Sequence, residues 1–103
     1  MIRAEFFEKN REIVGFRVKD HSGYAESGED IVCAAVSSAV QLTANLLEAM
    51  GFEPDVKLGE NVVECTLPSS GDLQSTIHGQ FKIHLESVQD EFPENINITI
   101  SEV

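Results

Sequence analysis

The chain has 103 residues, enough for one hydrophobic core and too few for two, and its seven Lys+Arg against eighteen Asp+Glu give a formal net charge of -11. That charge repels phosphate backbones and anionic membrane surfaces, which argues against direct nucleic-acid or membrane binding; it serves solubility or attracts a basic partner. Two cysteines are too few for a disulfide framework, the opening residues hold no apolar run long enough for a signal peptide, and no window approaches the roughly 20 apolar residues of a membrane span, so a cytoplasmic protein with reduced thiols is expected.

Residues 2–8 and 12–19 are short runs holding Phe6, Phe7, Ile13, Val14, Phe16 and Val18 around the turn-prone Lys9-Asn10-Arg11, and they read as a β-hairpin. Phe6 and Phe7 are adjacent, as are Ile13 and Val14, so each strand sends apolar groups to both faces. A small sheet built this way often hides one face in an oligomer, and a homodimer is expected.

From Ser27 the period changes. Val32, Ala35, Val36, Ala39, Val40, Thr43, Leu46, Leu47 and Met50 recur at steps of three and four, and Gly51 follows at once, which predicts an amphipathic helix with a glycine stop. Ser27 with Asp30 three residues later fits a capping box, placing the N-cap at Ser27. Beyond Gly51, residues 54–58 and 62–67 read as strands joined by a Gly59-Glu60-Asn61 turn. Leu73, Ile77, Phe81, Leu85, Val88 and Phe92 mark a second amphipathic helix ending near Pro93. Residues 95–101 alternate polar and apolar as a half-buried strand does.

The element order is ββαββαβ. Strands of alternating polarity and helices with one-sided apolar stripes imply an α+β two-layer sandwich, a single domain over residues 1–103 with both helices packed on one face of a mixed β-sheet.

Candidate chemistry centres on residues 20–37. His21 lies in a loop bearing Gly23 and Gly28, and Cys33 sits in the second turn of the helix that follows. A thiol attacks as the thiolate, so a reactive cysteine wants an imidazole nearby and access for substrate. The helix dipole helps a second-turn cysteine little, and Glu29 and Asp30 oppose ionisation, so activation falls to a partner such as His21. Spacing alone leaves two readings open: a catalytic Cys33–His21 pair, or a buried helical cysteine beside an ordinary loop histidine. Asp30 and Ser37, one turn either side of Cys33, share its helix face; each also has a plain role, as cap and as small packing residue. The two glycines suit a mobile lid or a tight turn equally.

Cys65 lies in an apolar strand with no histidine close in sequence and reads as structural. His78 and His84, six apart on the second helix, fall on different faces and read as solvated. With no CxxC or HExxH spacing and no glycine-rich phosphate loop, neither a metal nor a cofactor is expected.

The string Asp20-His21-Ser22-Gly23-Tyr24, followed by Gly28-Glu29-Asp30-Ile31-Val32-Cys33-Ala34-Ala35-Val36-Ser37, closely resembles the signature of the ribosomal-processing cysteine protease family, Prp. Chain length, element order and the late Glu94-Asn95-Ile96-Asn97-Ile98 strand are similar too. The resemblance implies a small cytoplasmic homodimeric cysteine endopeptidase that removes a short, apolar N-terminal extension from bacterial large-subunit ribosomal protein twenty-seven. It implies Cys33 as nucleophile, His21 as general base, Asp30 and Ser37 as supporting residues, and a substrate-ordering loop from Gly23 to Gly28. Two alternatives from other classes stand beside it: a non-catalytic acidic dimeric binding module for a ribosomal protein or assembly factor, and a small-molecule thiol hydrolase, which would need a deep enclosed pocket.

Overall fold

Seven elements follow one another in the order read from the sequence: β1 (Ile2–Lys9), β2 (Glu12–Lys19), α1 (Ser27–Ala49), β3 (Asp55–Gly59), β4 (Val62–Thr66), α2 (Asp72–Glu91) and β5 (Ile96–Glu102). The structure is a computed structural model that describes the backbone of residues 1–19 and 27–103 and the side chains of residues 1–19 and 31–103. The five strands form one mixed sheet in the order β3-β4-β2-β1-β5, antiparallel throughout except for the parallel pair β1 and β5.

Turn chemistry sets the first hairpin. Asn10 and Arg11 both adopt positive φ, 53° and 67°, the backbone that lets a two-residue turn follow the right-handed twist of its strands. Lys9 then faces Glu12, and Phe6 faces Phe16. Pairing shifts between Phe7 and Glu8, leaving Val14 as an extra residue on β2. The bulge puts Ile13 against the core and Val14 beside Phe7 in a shallow depression on the other face. Gly15 next to it is tightly placed, because a Cβ there would stand 2.6 Å from the carbonyl oxygen of Cys65 on β4.

The core lies between the sheet and the two helices. Ile2, Ala4 and Phe6 from β1, Phe16 and Val18 from β2, Cys65 from β4 and Ile96 from β5 meet Val32, Val36, Val40 and Leu47 from α1 and Phe81 and Leu85 from α2. Phe81 stands edge-on to both Phe6 and Phe16, with ring centroids 5.6 and 4.7 Å apart, a geometry that favours aromatic contact.

Helix α1 ends as its sequence predicts. Gly51 has φ 82°, its N–H donates to the Glu48 carbonyl, and the Phe52 N–H donates to the Leu47 carbonyl, which together make a Schellman stop. The helix starts at Ser27, but the expected capping box falls on side chains of residues 27–30, outside those described. In length and composition residues 31–49 would suffice to cross a membrane, contrary to the expectation that no window comes close. The reason is local: α1 has no charged residue from Ile31 to Leu47, and its valine stripe is part of the core.

The apolar stripe of α2 departs from its sequence reading at the N-terminal end. Gln74 and His78, not Leu73 and Ile77, are buried ahead of Phe81 and Leu85. Leu73 is exposed and Ile77 half-buried.

The outer face of the sheet also differs from expectation. It is polar around Arg3, Glu5, Arg17, Lys19, Asn97 and Thr99. Arg17 Nη2 donates to Glu5 Oε1 at 2.6 Å, and Ser101 Oγ donates to Glu5 Oε2. These bonds, the Ser101 hydroxyl first, hold the Glu5 carboxyl below the usual carboxylate range. Phe7 is half-buried, with the Arg17 guanidinium 5.7 Å over its ring. A broad apolar second face is therefore absent among the described residues, and the larger uncovered apolar surface lies on the helical layer.

Candidate active site

Val32 and Val36 are sealed in the core and fix the rotation of α1. That rotation puts the flank bearing Cys33 and Ser37 toward the β3–β4 hairpin, and the flank bearing Ala35, Leu42 and Leu46 toward α2. Cys33 is half-buried and packs against the core; Ser37, one turn on, is exposed. Thus two of the expected site residues share one flank of one helix. Asp30 is one turn before Cys33 along the same helix, with its side chain outside the described residues. His21 and Gly23 also lie outside the described residues. Gly28 falls in the first turn of α1 and not in the loop where the sequence reading put it.

Cys65 contrasts with Cys33 in its burial. It lies on β4 between Phe16 and Val56, is fully buried, and has its thiol pushed up to about 11 by burial, with the Asp55 charge adding to the effect. A thiol in that state is a packing residue, as its sequence context indicated. His84 is exposed, also as expected.

His78 overturns the sequence reading of a solvated residue. It is fully buried, edge-on to Phe16 at 5.7 Å between ring centroids, and neither ring nitrogen has a hydrogen-bond partner of good geometry. Burial drives its pKa down to about 4, and the backbone of Gln74 and of Ile13 opposes this only in part. It stands in the core as a neutral ring.

Open grooves run along both flanks of α1. The one beside β3 and β4, about 560 Å³, begins at Ala34 and Ser37 and has Leu58, Asn61 and Val62 on its far wall. Sequence reasoning missed this wall, although the alternation of Val56 and Leu58 on a short strand was its signal. The other groove, about 630 Å³, lies between α1 and α2 around Leu42, Leu46, Ile77 and His84. Among the described residues no group of three His, Cys, Asp or Glu side chains could hold a metal ion.

A half-buried thiol on a core-anchored helix, on the flank that borders an open groove while the second cysteine is sealed away, suits a small cysteine peptidase. A deep enclosed pocket of the kind a small-molecule thiol hydrolase needs does not adjoin this flank among the described residues.

Comparison with known proteins agrees. The sequence profile of the family described as cysteine protease Prp matches residues 1–97. The ribosomal processing cysteine protease Prp of Bacillus subtilis (strain 168) is 30% identical over 95 residues, covering 84% of this chain and 85% of that one. The fold superposes on a crystal structure of the essential ribosomal processing protease Prp from S. aureus with a substrate peptide, at TM-score 0.85 and 19% identity over 98% of this chain and 100% of that one. The same protease with a covalently linked product peptide gives TM-score 0.82 at 20% identity over the same shares. A Streptococcus mutans protein gives 0.83 at 22%, covering 100% of this chain and 96% of that one. The chain belongs to the cysteine protease Prp family.

Proposed function

We propose that the protein is an endopeptidase that removes the short N-terminal extension of bacterial large-subunit ribosomal protein twenty-seven, with Cys33 as nucleophile and His21 as general base. The observation that carries this reading is the contrast between the two thiols: Cys33 is half-buried on the flank of α1 whose Ser37 lines an open groove, whereas Cys65 is enclosed and its thiol held protonated. The S. aureus relative crystallised with a covalently linked product peptide supports thiol chemistry of this kind.

In the reaction, His21 takes the proton from Cys33 Sγ as sulfur attacks the scissile carbonyl carbon. The C–N bond breaks, the same imidazole gives its proton to the leaving amine, and water then hydrolyses the thioester to free the new carboxylate. Asp30 supports the histidine, and the Ser37 hydroxyl, one turn past the thiol, meets the substrate or the thiolate. The loop bearing Gly23 orders over the peptide. The enzyme works in the cytoplasm, and the net charge of -11 draws a basic ribosomal protein toward it. The uncovered apolar residues of the helical layer, Leu42 and Leu46 among them, suit a homodimer.

Mass spectrometry of a peptide carrying the extension tests the reading. The protein should cut it once, after the aromatic residues that end the extension, and Cys33→Ala should lower the rate by at least about 10⁴-fold while leaving the fold intact. Undiminished cleavage by that variant would refute the assignment; a peptide that binds and stays whole would make the protein a recognition module.

A further inference from the structure

Register across the sheet sorts the charges of its outer face into two rows. In one, Lys57, Glu64, Arg17 and Glu5 stand side by side from β3 to β1, so that their signs alternate and the row neutralises itself. In the next, Lys19 of β2 faces Arg3 of β1 directly, with Val62 beyond the one and Asn97 beyond the other. Two cations placed opposite one another repel and destabilise the pairing. Both are exposed, and among the described residues neither forms an ion pair. Glu5, the acidic residue that lines the same depression, has one oxygen taken by Arg17 and the other by Ser101. A chain of net charge -11 thus sets two of its seven cations together where its own acids do not answer them.

The depression they line with Asn97 and Thr99 has a volume of about 380 Å³. A carboxylate there would accept hydrogen bonds from Arg3, Lys19 and the Asn97 amide, and would turn repulsion between the cations into attraction. Further along β1, Phe7 and Val14 line a second depression of about 240 Å³, together with Leu67 and Val103. Arg17 joins the two: it lines the first, and its guanidinium lies 5.7 Å over the Phe7 ring in the second. Phe7 stands four residues from Arg3, roughly 13 Å along a strand. An extended segment lying along β1, with an apolar residue at one position and a carboxylate four positions on, sends both side chains to one side at that spacing.

A nucleic-acid strand fits less well. Charges more than about 8 Å apart are largely screened at physiological salt, so a short acidic segment senses the local row. A longer polyanion extends over the rest of a strongly acidic chain, and Arg17 covers the Phe7 face on which a base would stack.

We propose that the outer face of the sheet is a second binding site, which takes an extended acidic segment of a partner protein, its carboxylate between Arg3 and Lys19 and an apolar side chain in the Phe7–Val14 depression. The site lies across the sheet from the layer that carries Cys33, so a partner held there leaves the helical layer uncovered.

Fluorescence anisotropy of a labelled peptide tests the site and needs no peptidase activity. The probe is tetramethylrhodamine-Gly-Leu-Thr-Ser-Thr-Glu-Gly, in which Leu and Glu stand four positions apart. Arg3→Gln combined with Lys19→Gln should raise its Kd at least about fivefold, and so should replacing the Glu of the probe by Gln or its Leu by Ser. Arg11→Gln combined with Lys82→Gln removes the same charge from the hairpin turn and α2, and should leave Kd within about twofold. Arg3 and Lys19 are exposed, so their replacement should leave the fold intact, which circular dichroism would check. No binding of the probe, or equal effects of the two double variants, would overturn the proposal. Tighter binding of a labelled oligouridine, lost with Arg3 and Lys19, would overturn it in favour of a nucleic-acid partner. Dimerisation of the protein that is abolished by Arg3→Gln with Lys19→Gln would overturn it in favour of a second copy of the chain.

Discussion

His78 should make this protein acid-sensitive between pH 6.5 and 4, and His78→Leu should remove that sensitivity. In the unfolded chain the imidazole takes up a proton near its ordinary pKa of 6.5; in the fold, burial holds that event down at about 4. Between these values the unfolded state binds one proton more than the native state, so stability falls as pH falls and rises as pH rises. Below about 4 both states are protonated and the loss is complete. At about 1.4 kcal/mol per pH unit, the full loss is about 3 kcal/mol, a large share of the roughly 5–15 kcal/mol that a small domain has. Leucine has similar bulk and does not titrate. Urea unfolding of both proteins at pH 7, 6, 5 and 4 gives the stability difference at each pH, in which the titration of the carboxylates cancels. Relative to the variant, the unmutated protein should lose about 3 kcal/mol between pH 7 and 4, whatever constant offset repacking against Phe16 introduces. A difference that stays flat within about 0.5 kcal/mol would refute the reasoning, for it would mean that the ring accepts its proton in the folded state.

Two further perturbations test the thiols and the sheet. Iodoacetamide near neutral pH should alkylate Cys33 and leave Cys65 unmodified until urea unfolds the chain, as peptide mapping would show; labelling of Cys65 in the native protein would contradict its enclosure. Gly15→Ala should destabilise the protein by about 1–3 kcal/mol, because its Cβ would be driven against the Cys65 carbonyl and β2 and β4 would have to part. An unchanged urea midpoint would show that this pairing is looser than its geometry indicates.

Much of the architecture was legible because local signals agreed with one another. Asn10 and Asn61 mark their turns and do adopt positive φ, Gly51 ends α1 in the left-handed backbone that glycine tolerates, and the alternation of residues 95–101 becomes β5. The misreadings arose where tertiary packing overrode composition. In α2 the eye follows Leu73 and Ile77, yet the sheet takes Gln74 and His78, because the face that meets Phe16 is set by the whole helix and two of its positions happen to be polar. Ile13 and Val14 do point to opposite faces as expected, but which of them turns inward is set by a bulge that inserts one residue, a shift that no local pattern announces. The site was legible in part. Cys33 stands out from Cys65 by context, and Ser37 follows by helical period, but the groove beside them needs β3, far along the chain, to form its second wall.

The parallel pairing of β1 with β5 bears on how the chain folds. Ile2 lies against Ile96 and Phe6 against Ile100, so the first strand made is completed by the last. Every contact across that seam closes almost the whole sequence into a loop, and such contacts slow folding. During synthesis β1 can join β2 at once, but its other edge stays open, and Ile2, Ala4 and Phe6 stay without full cover until β5 arrives. A nascent chain arrested before residue 96 would therefore expose an unpaired apolar edge, the kind of surface that chaperones hold and that aggregates when they do not.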